Sequence, residues 1–481
     1  MELLLSSGAE LARSRCAVCH LFPGPDVLPT SGWVNLLGRK LSIVDEYLKA
    51  TNRDLRGWVD ADEMEAIGEY YRSASVDQEV LVGPPAPLGT SVPWLEYLAG
   101  ERVDPELPQQ GYVDVFVDND ARRLVFTDFF RSSLQLYDFS GEPVGVVPVG
   151  ATPTRIERDG TTLLVSLMEA PQGGAVVEVD LNYDNPSSSV VRGIAGDLER
   201  PIRAYPTTLF GARGAIIEEF ASHRRGLAFW RRGEEEQLGT PDVLLDAWGV
   251  VGSAVADLDQ DGDLDLVVLI SQEREQLLLF EGVNGDLRSP RVIFQGHPGF
   301  GFNSLMLTDV DGDGLADIVT TNGDNYDDAH GSPLKPYHGI RVYRNAGALT
   351  FETPIVLAMH GVIDVLSADF DIDGDLDLLA VSAFPDPRIR PYESVVLFEQ
   401  IRPLEFAPLA IAEAGGSRWV ATAGVDMEGD GDLDIVLAGA NTSTTRADRR
   451  WSALAGPDPR IMVLLRNKII DADGSHRRGP S

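Results

Sequence analysis

The sequence predicts a mainly β fold, a seven-bladed β-propeller, preceded by a small all-α domain. Three observations lead there. From about residue 111 almost to the C-terminus, short apolar and β-branched runs alternate with Gly, Asp, Asn and Pro turns, and the runs group in fours. A nine-residue acidic stretch recurs four times, beginning at Asp257, Asp309, Asp369 and Asp426, at separations of 52, 60 and 57 residues (309−257, 369−309, 426−369). A repeat of that period marks one supersecondary unit each time. Residues 1–78 instead carry helical periodicity.

In the first domain, Leu4, Leu5, Leu11 and Ala12 fall on one helical face, and a second helix is expected from Trp33 through Leu37 and Leu41. A third begins at Asp60, with Asp60 as N-cap and Glu63 three residues on; Met64, Ile67 and Tyr70 or Tyr71 follow at helical spacing. So small a domain gains from a buried cofactor. Cys16-Ala17-Val18-Cys19-His20 supplies the means: each thiol can add to a haem vinyl group, and the adjacent His20 reaches the iron. A redox Cys pair is expected in a βαβ unit, and a zinc site needs two further Cys or His nearby, so covalent haem c is the expected cofactor. The helix before the motif and the Tyr70-Tyr71 helix after it resemble those of a class I cytochrome c. In that family a Met-Gly pair follows the Leu-Pro and Trp segment, here Leu28-Pro29 and Trp33; this chain has Leu37-Gly38 there instead. The sixth iron ligand is then Met64, the internal Met of the domain, or the iron is five-coordinate and Met64 is a plain core residue.

Gly83-Pro84-Pro85-Ala86-Pro87-Leu88-Gly89 lies in an expected linker over 79–110. The propeller follows over 111–470, with a tail at 471–481. Expected strands at 112–117, 124–128, 134–137 and 144–149 form the first blade. Those at 154–157, 163–168, 176–181 and 190–194 form the second, and those at 202–209, 216–220, 227–230 and 243–245 the third. The four acidic loops, each between the first and second strand of a blade, add four more and bring the ring to seven. The last blade shows only three strands, ending at 461–465, so its fourth is expected from upstream of the first blade.

Carboxylates at positions one, three, five and nine around a Gly at position six suit a tight loop folded on one hard cation, and calcium accepts six to eight oxygens at flexible geometry. The EF-hand needs an acid at position twelve and flanking helices; here that position is Val268, Thr320, Ala380 and Leu437, and strands flank every copy. The pattern instead resembles the FG-GAP or VCBS calcium repeat of integrin-like propellers. That resemblance implies about four calcium ions. Asp257, Asp259, Asp261 and Asp265 would hold the first, with Asp263 offering its backbone carbonyl. Asp309, Asp311, Asp313 and Asp317 would hold the second, and Asp369, Asp371, Asp373 and Asp377, with Asp375 at position seven, the third. Asp426, Glu428, Asp430 and Asp434, with Asp432 at position seven, would hold the fourth, where the longer Glu428 weakens the site. The earlier blades lack such ligands: no acid lies between Leu209 and Ala215, and Asp118 with Asp120 is at most a remnant. Together with Gly83-Pro84-Pro85, Arg200-Pro201, Pro336-Tyr337-His338-Gly339, Phe384-Pro385-Asp386 and Arg418-Trp419, the chain resembles bacterial proteins that join a c-type cytochrome to such a propeller. One insertion offers a further candidate ligand loop: Asn322, Asp324, Asp327, His330 and His338 bring amide, carboxylate and imidazole groups into one stretch.

Lys and Arg number 40 against 75 Asp and Glu, a formal charge of −35, which argues against nucleic acid as partner. Two Cys exclude a disulfide-built scaffold. No apolar run reaches membrane-spanning length, and the start Met1-Glu2-Leu3-Leu4-Leu5 does not read as a secretory signal, although both cofactors point to a periplasmic or extracellular location. No Ser-His-Asp order and no phosphate loop occurs. The expected function is electron transfer with recognition of a redox partner, a protein or a glycan by the propeller. The alternatives are a haem-dependent redox enzyme with its substrate over the propeller face, and structural adhesion.

Overall fold

The computed structural model describes residues 2–16, 22–30, 32–33, 37, 61–75, 88, 92–104, 106–107, 109–169, 173–220, 225–233, 237–271, 274–325, 335–385, 392–442 and 459–470. Among the described residues the chain opens on α1 (Glu2–Cys16) and α2 (Ala61–Ala74), with further helical residues at 30, 32–33 and 37, and from residue 92 onward it is strand and turn with two short 3₁₀ turns, Pro186–Ser188 and Ala412–Ala414. Acidic Asp62 and Glu63 in the first turn of α2 and basic Arg72 in its last complement the helix dipole. The helices cross where a Cβ on Gly8 would stand 2.4 Å from the Ala66 carbonyl oxygen and 3.0 Å from the Tyr70 Cβ, so only glycine permits this approach. Ala12, Leu28, Trp33, Ile67 and Tyr71 form the small core. Trp33 stacks on Tyr71 with ring centroids 3.9 Å apart, and both rings anchor the intervening segment: the Trp33 indole donates to the Pro25 carbonyl (2.9 Å) and the Tyr71 hydroxyl to the Pro23 carbonyl (2.8 Å).

Beyond the helices the strands form antiparallel meanders. Five separate four-stranded sheets cover 152–198, 201–245, 250–295, 302–358 and 362–410, each with its strands hydrogen-bonded in chain order. In the third of these a small hairpin, Gly282–Val283 with Asp286–Leu287, interrupts the course between the last two strands. The four strands between Gln109 and Pro148 belong to an eight-stranded sheet: Gln109, Gln110 and Gly111 pair with Thr442, Asn441 and Ala440 on the end of strand Asp434–Thr442, which itself pairs with Trp419–Val425 and Arg460–Asn467. The second strands Asp265–Ile270, Asp317–Asn322 and Asp377–Ser382 are buried at every residue, which explains the apolar runs of the first and third.

The first strands of the meanders contact one another in a closed cycle. Gln109–Asp118 meets Thr152–Asp159, which meets Pro201–Leu209. The Tyr205 hydroxyl and Ser253 hydroxyl, 2.9 Å apart, continue to Val250–Ala256. That strand meets Phe302–Thr308, then Val362–Ala368, then Trp419–Val425, which returns to Gln109–Asp118. A ring of curled antiparallel sheets is the architecture of a β-propeller, and closure leaves few free edges.

The closing element falls inside the stretch read from sequence as linker. Strand Leu95–Arg102 pairs antiparallel with Arg460–Asn467, Tyr97 opposite Leu465, and so supplies the fourth strand missing at the C-terminal end of the ring. Its sequence, Leu-Glu-Tyr-Leu-Ala-Gly-Glu-Arg, is rich in helix formers, and a partner so distant in sequence overrides that propensity. Glu101 fastens the closure by accepting hydrogen bonds from the hydroxyls of Tyr112 (2.6 Å) and Tyr137 (2.7 Å).

Candidate functional site

Each acidic loop is built on a repeated set of backbone hydrogen bonds. In loop 1 (257–265) the carboxylate of Asp257 accepts the N–H groups of Asp261 (3.1 Å) and Gly262 (3.0 Å), turning the chain back on itself. Loops 2 (309–317), 3 (369–377) and 4 (426–434) repeat this turn through Asp309, Asp369 and Asp426. Gly262 adopts φ +96° and the equivalent Gly374 and Gly431 +102° and +100°, which explains glycine at position six.

The ninth-position aspartates are latches. Asp265 accepts the Leu258 N–H on one oxygen (2.9 Å) and the Gly282 N–H on the other (2.8 Å). Asp317 does the same with Val310 and Asn345, Asp377 with Phe370 and Gln400, and Asp434 with Met427 and Asn467. All four are buried, and each ties its loop to the end of the third strand. The side-chain amides that follow reach the neighbouring sheet: Asn345 donates to the Leu258 carbonyl (2.8 Å), Gln400 to that of Val310 (3.1 Å) and Asn467 to that of Phe370 (2.8 Å). Sequence reasoning missed these amides; their signal is an Asn or Gln closing the third strand after three of the loops.

Loops 1 to 3 gather carboxylates. Ligand oxygens of Asp257, Asp259 and Asp265 lie within 4.8 Å of one another, as do those of Asp309, Asp311 and Asp317 and those of Asp369, Asp371 and Asp373. Two oxygens on opposite sides of one calcium ion, each at roughly 2.4 Å, stand about 4.8 Å apart, so these groups fit a single ion. Loop 4 forms no such group among the described residues. Its Glu428 pairs with Arg466 at 2.5 Å. Position seven departs from a uniform role: the Asp263 carboxylate accepts the N–H groups of Asn284 (2.7 Å) and Gly285 (2.9 Å), holding the small hairpin, whereas one oxygen each of Asp375 and Asp432 is buried without a hydrogen-bond partner. Burial, reinforced by neighbouring carboxylates, raises the ninth-position acids and Asp371. Burial, then Asp373 and Glu399, push Asp371 up to about 6; burial pushes Asp377 up to about 7 and Asp434 up to about 8. A nearby cation would reverse this.

In the candidate ligand loop, Asn322 and His338 are buried. Asn322 donates to the carbonyls of Phe300 (3.1 Å) and Tyr337 (3.0 Å) and accepts from Arg341. His338 accepts the Gly361 N–H on Nδ1 (3.3 Å), and its burial holds the imidazole well below its usual range, hence neutral. The Asp324 carbonyl accepts from Lys335 (3.0 Å). Asp327 and His330 lie outside the described residues. So do Cys19 and His20, and of Cys16 only its place as the last residue of α1 is described. Met64 lies half-buried on α2 and is not among the described apolar residues of the small core.

A feature invisible in the sequence lies at the mouth of the ring. The first strands line a cavity of about 500 Å³ with Arg155, Glu157, Arg203, Glu218, Asn303 and Asp364 on its wall. Arg155 donates to Asp114 (2.9 Å) and Arg203 to Glu157 (2.7 Å), and Glu218 accepts from Ser253 (2.7 Å). Burial pushes Asp364 up to about 6 and Arg155 opposes it. Such residues read locally as solvated strand positions; only ring closure brings them together.

Residues 257–320, from loop 1 to the strand after loop 2, match the FG-GAP-like repeat family, a small part of the chain. No curated protein matches. Among solved structures the chain is similar to the Dos1 propeller (8% identity, TM-score 0.42, 74% of this chain and 78% of that one). It is also similar to Kuenenia stuttgartiensis hydrazine synthase (13%, 0.43, 72% and 96%) and to a luciferin-regenerating enzyme (12%, 0.41, 66% and 98%). At such identities a shared course of the chain says nothing of a shared substrate. The stretch that matches this family holds the first two acidic loops, an FG-GAP-like repeat set in a mainly β ring.

Proposed function

We propose that this protein is an extracytoplasmic haem-c electron-transfer and binding protein, in which a seven-bladed, calcium-stabilised propeller recognises a partner or polymer. The observation that carries the reading is the set of carboxylate groups, spaced for one calcium ion, that recur at strand boundaries of a closed ring. Counting the eight-stranded sheet as two blades beside the five separate sheets gives seven (5 + 2). The FG-GAP-like match over two of the loops supports a binding or structural role. A closed ring offers its two faces for recognition, and the excess of acids favours a basic or metal-bridged partner.

The helical domain supports the haem reading through two features: α1 ends at Cys16, and α1 crosses α2 closely at Gly8. Cys16 and Cys19 would hold the group covalently and His20 would ligate its iron, with Met64 or no protein group on the other side. A bound haem would supply one-electron chemistry. Expression in an exporting host with a haem-maturation system is expected to give a mass increase of one haem per chain that is lost in Cys16→Ser with Cys19→Ser; unmodified mass would remove the haem reading. The charged cavity of about 500 Å³ favours a second reading, a redox enzyme whose substrate sits on the propeller face. Turnover of a substrate with haem reduction, abolished by Arg155→Ala, would decide for it.

A further inference from the structure

The residue immediately before each third-strand latch partner differs around the ring. It is Glu281 beside loop 1, Arg344 beside loop 2, Glu399 beside loop 3 and Arg466 beside loop 4, so acid and base alternate at one structurally equivalent position. The two arginines turn inward on their loops. Arg344 places its guanidinium on Asp311 and, at 2.8 Å, on Asp313, and its remaining nitrogen reaches Glu352 at 3.2 Å. Arg466 pairs with Glu428, the third-position acid of loop 4 and thus the counterpart of Asp311. In loops 1 and 3 no basic side chain pairs with a loop acid among the described residues; Glu281 takes Arg288 as its own partner at 2.8 Å.

We infer that Arg344 and Arg466 are built-in counter-ions that take the place of a divalent cation in loops 2 and 4, leaving loops 1 and 3 as the two calcium sites. Loop 2 has its carboxylates as close together as loop 1, so spacing does not separate the two classes. Charge does. The Arg344 guanidinium holds two loop carboxylates with directed hydrogen bonds, Arg466 forms an ion pair with the single carboxylate of Glu428, and neither can lose its proton, so a calcium ion brought beside either would meet its repulsion and, in loop 2, the loss of those bonds. Loop 2 also lacks the position-seven acid, with Leu315 where the other loops have Asp263, Asp375 and Asp432, so it holds fewer negative charges to attract a second cation. Loop 3 is the opposite case: five loop acids with Glu399 beside them and no basic partner.

This inference rests on the calcium reading of the loops, and one experiment separates the two. Chelator-stripped full-length protein is titrated with calcium by calorimetry and by metal analysis after dialysis. Two ions per chain are expected, with Asp257→Asn and Asp369→Asn each losing one and Asp309→Asn losing none. Arg344→Gln and Arg466→Gln are each expected to raise the count to three, with circular dichroism confirming that the variants stay folded. Four ions in the unaltered protein, or loss of one in Asp309→Asn, overturns the counter-ion assignment while the calcium reading stands. No calcium at all overturns both.

Discussion

At the scale of single residues, the acids of one loop do separate jobs. The turn-forming first acid is half-buried, whereas the ninth is a buried latch with a backbone N–H on each oxygen. Asp317→Ala would strand two buried donors and is expected to cost about 2 to 5 kcal/mol with calcium present or absent, measured by denaturant unfolding. Asp257→Asn keeps one of the two acceptors that form the turn, so it is expected to cost less than Asp317→Ala in chelator and to cost more when calcium is present. Equal losses for the two variants in chelator would contradict this division. Asn345→Ala, which removes the bond to the Leu258 carbonyl across two sheets, is expected to cost about 1 to 3 kcal/mol. The sequence shows the loop acids plainly because their spacing repeats. It does not show Asn345, Gln400, Asn467, Arg344 or Arg466 as members of the site, because the number of residues between loop and third-strand end varies with each intervening turn. Their role follows from register, which only pairing of the strands sets.

At the scale of elements, strands buried on both faces announce themselves and edge strands do not. Leu266-Val267-Val268-Leu269-Ile270 is fully buried and is legible as a strand from its apolar run. Leu95–Arg102 is half-exposed, rich in Glu, Ala and Leu, and paired to a strand near the other end of the chain, so its local sequence carries little sign of its state. The loops also give the element a pH response. Asp371, Asp377 and Asp434 have folded-state pKa values of about 6, 7 and 8, above those of the unfolded chain. Their protonated forms favour folding, so this contribution is full at low pH and disappears as the pH rises through about 6 to 8. The melting temperature of calcium-free protein is therefore expected to fall between about pH 5 and about pH 8, and to fall less when calcium is saturating, since calcium in loop 3 removes the part due to Asp371 and Asp377 and leaves that of Asp434. A calcium-free melting temperature that climbs across that range would count against clustered, buried acids.

At the scale of the whole molecule, the ring is closed by a strand that precedes it. The overall mainly β class and the four-strand grouping follow from turn spacing, while closure through Leu95–Arg102 and the charged cavity depend on contacts between ends of the chain. A chain that begins before Leu95 is expected to unfold cooperatively, whereas one that begins at Gln109 loses the partner of Arg460–Asn467 and is expected to aggregate or melt far lower. Equal melting of the two would mean that closure contributes nothing. The claim on which the rest stands is that a cation belongs to the acidic loops of the folded ring. Thermal unfolding of the same preparation with saturating calcium and after removal by chelator tests it most directly. Ligand at a hundredfold excess over its dissociation constant stabilises by about 2.7 kcal/mol per site, so two sites predict a fall of several degrees in chelator that is restored by calcium and not by potassium. Identical melting in calcium and in chelator would contradict the account.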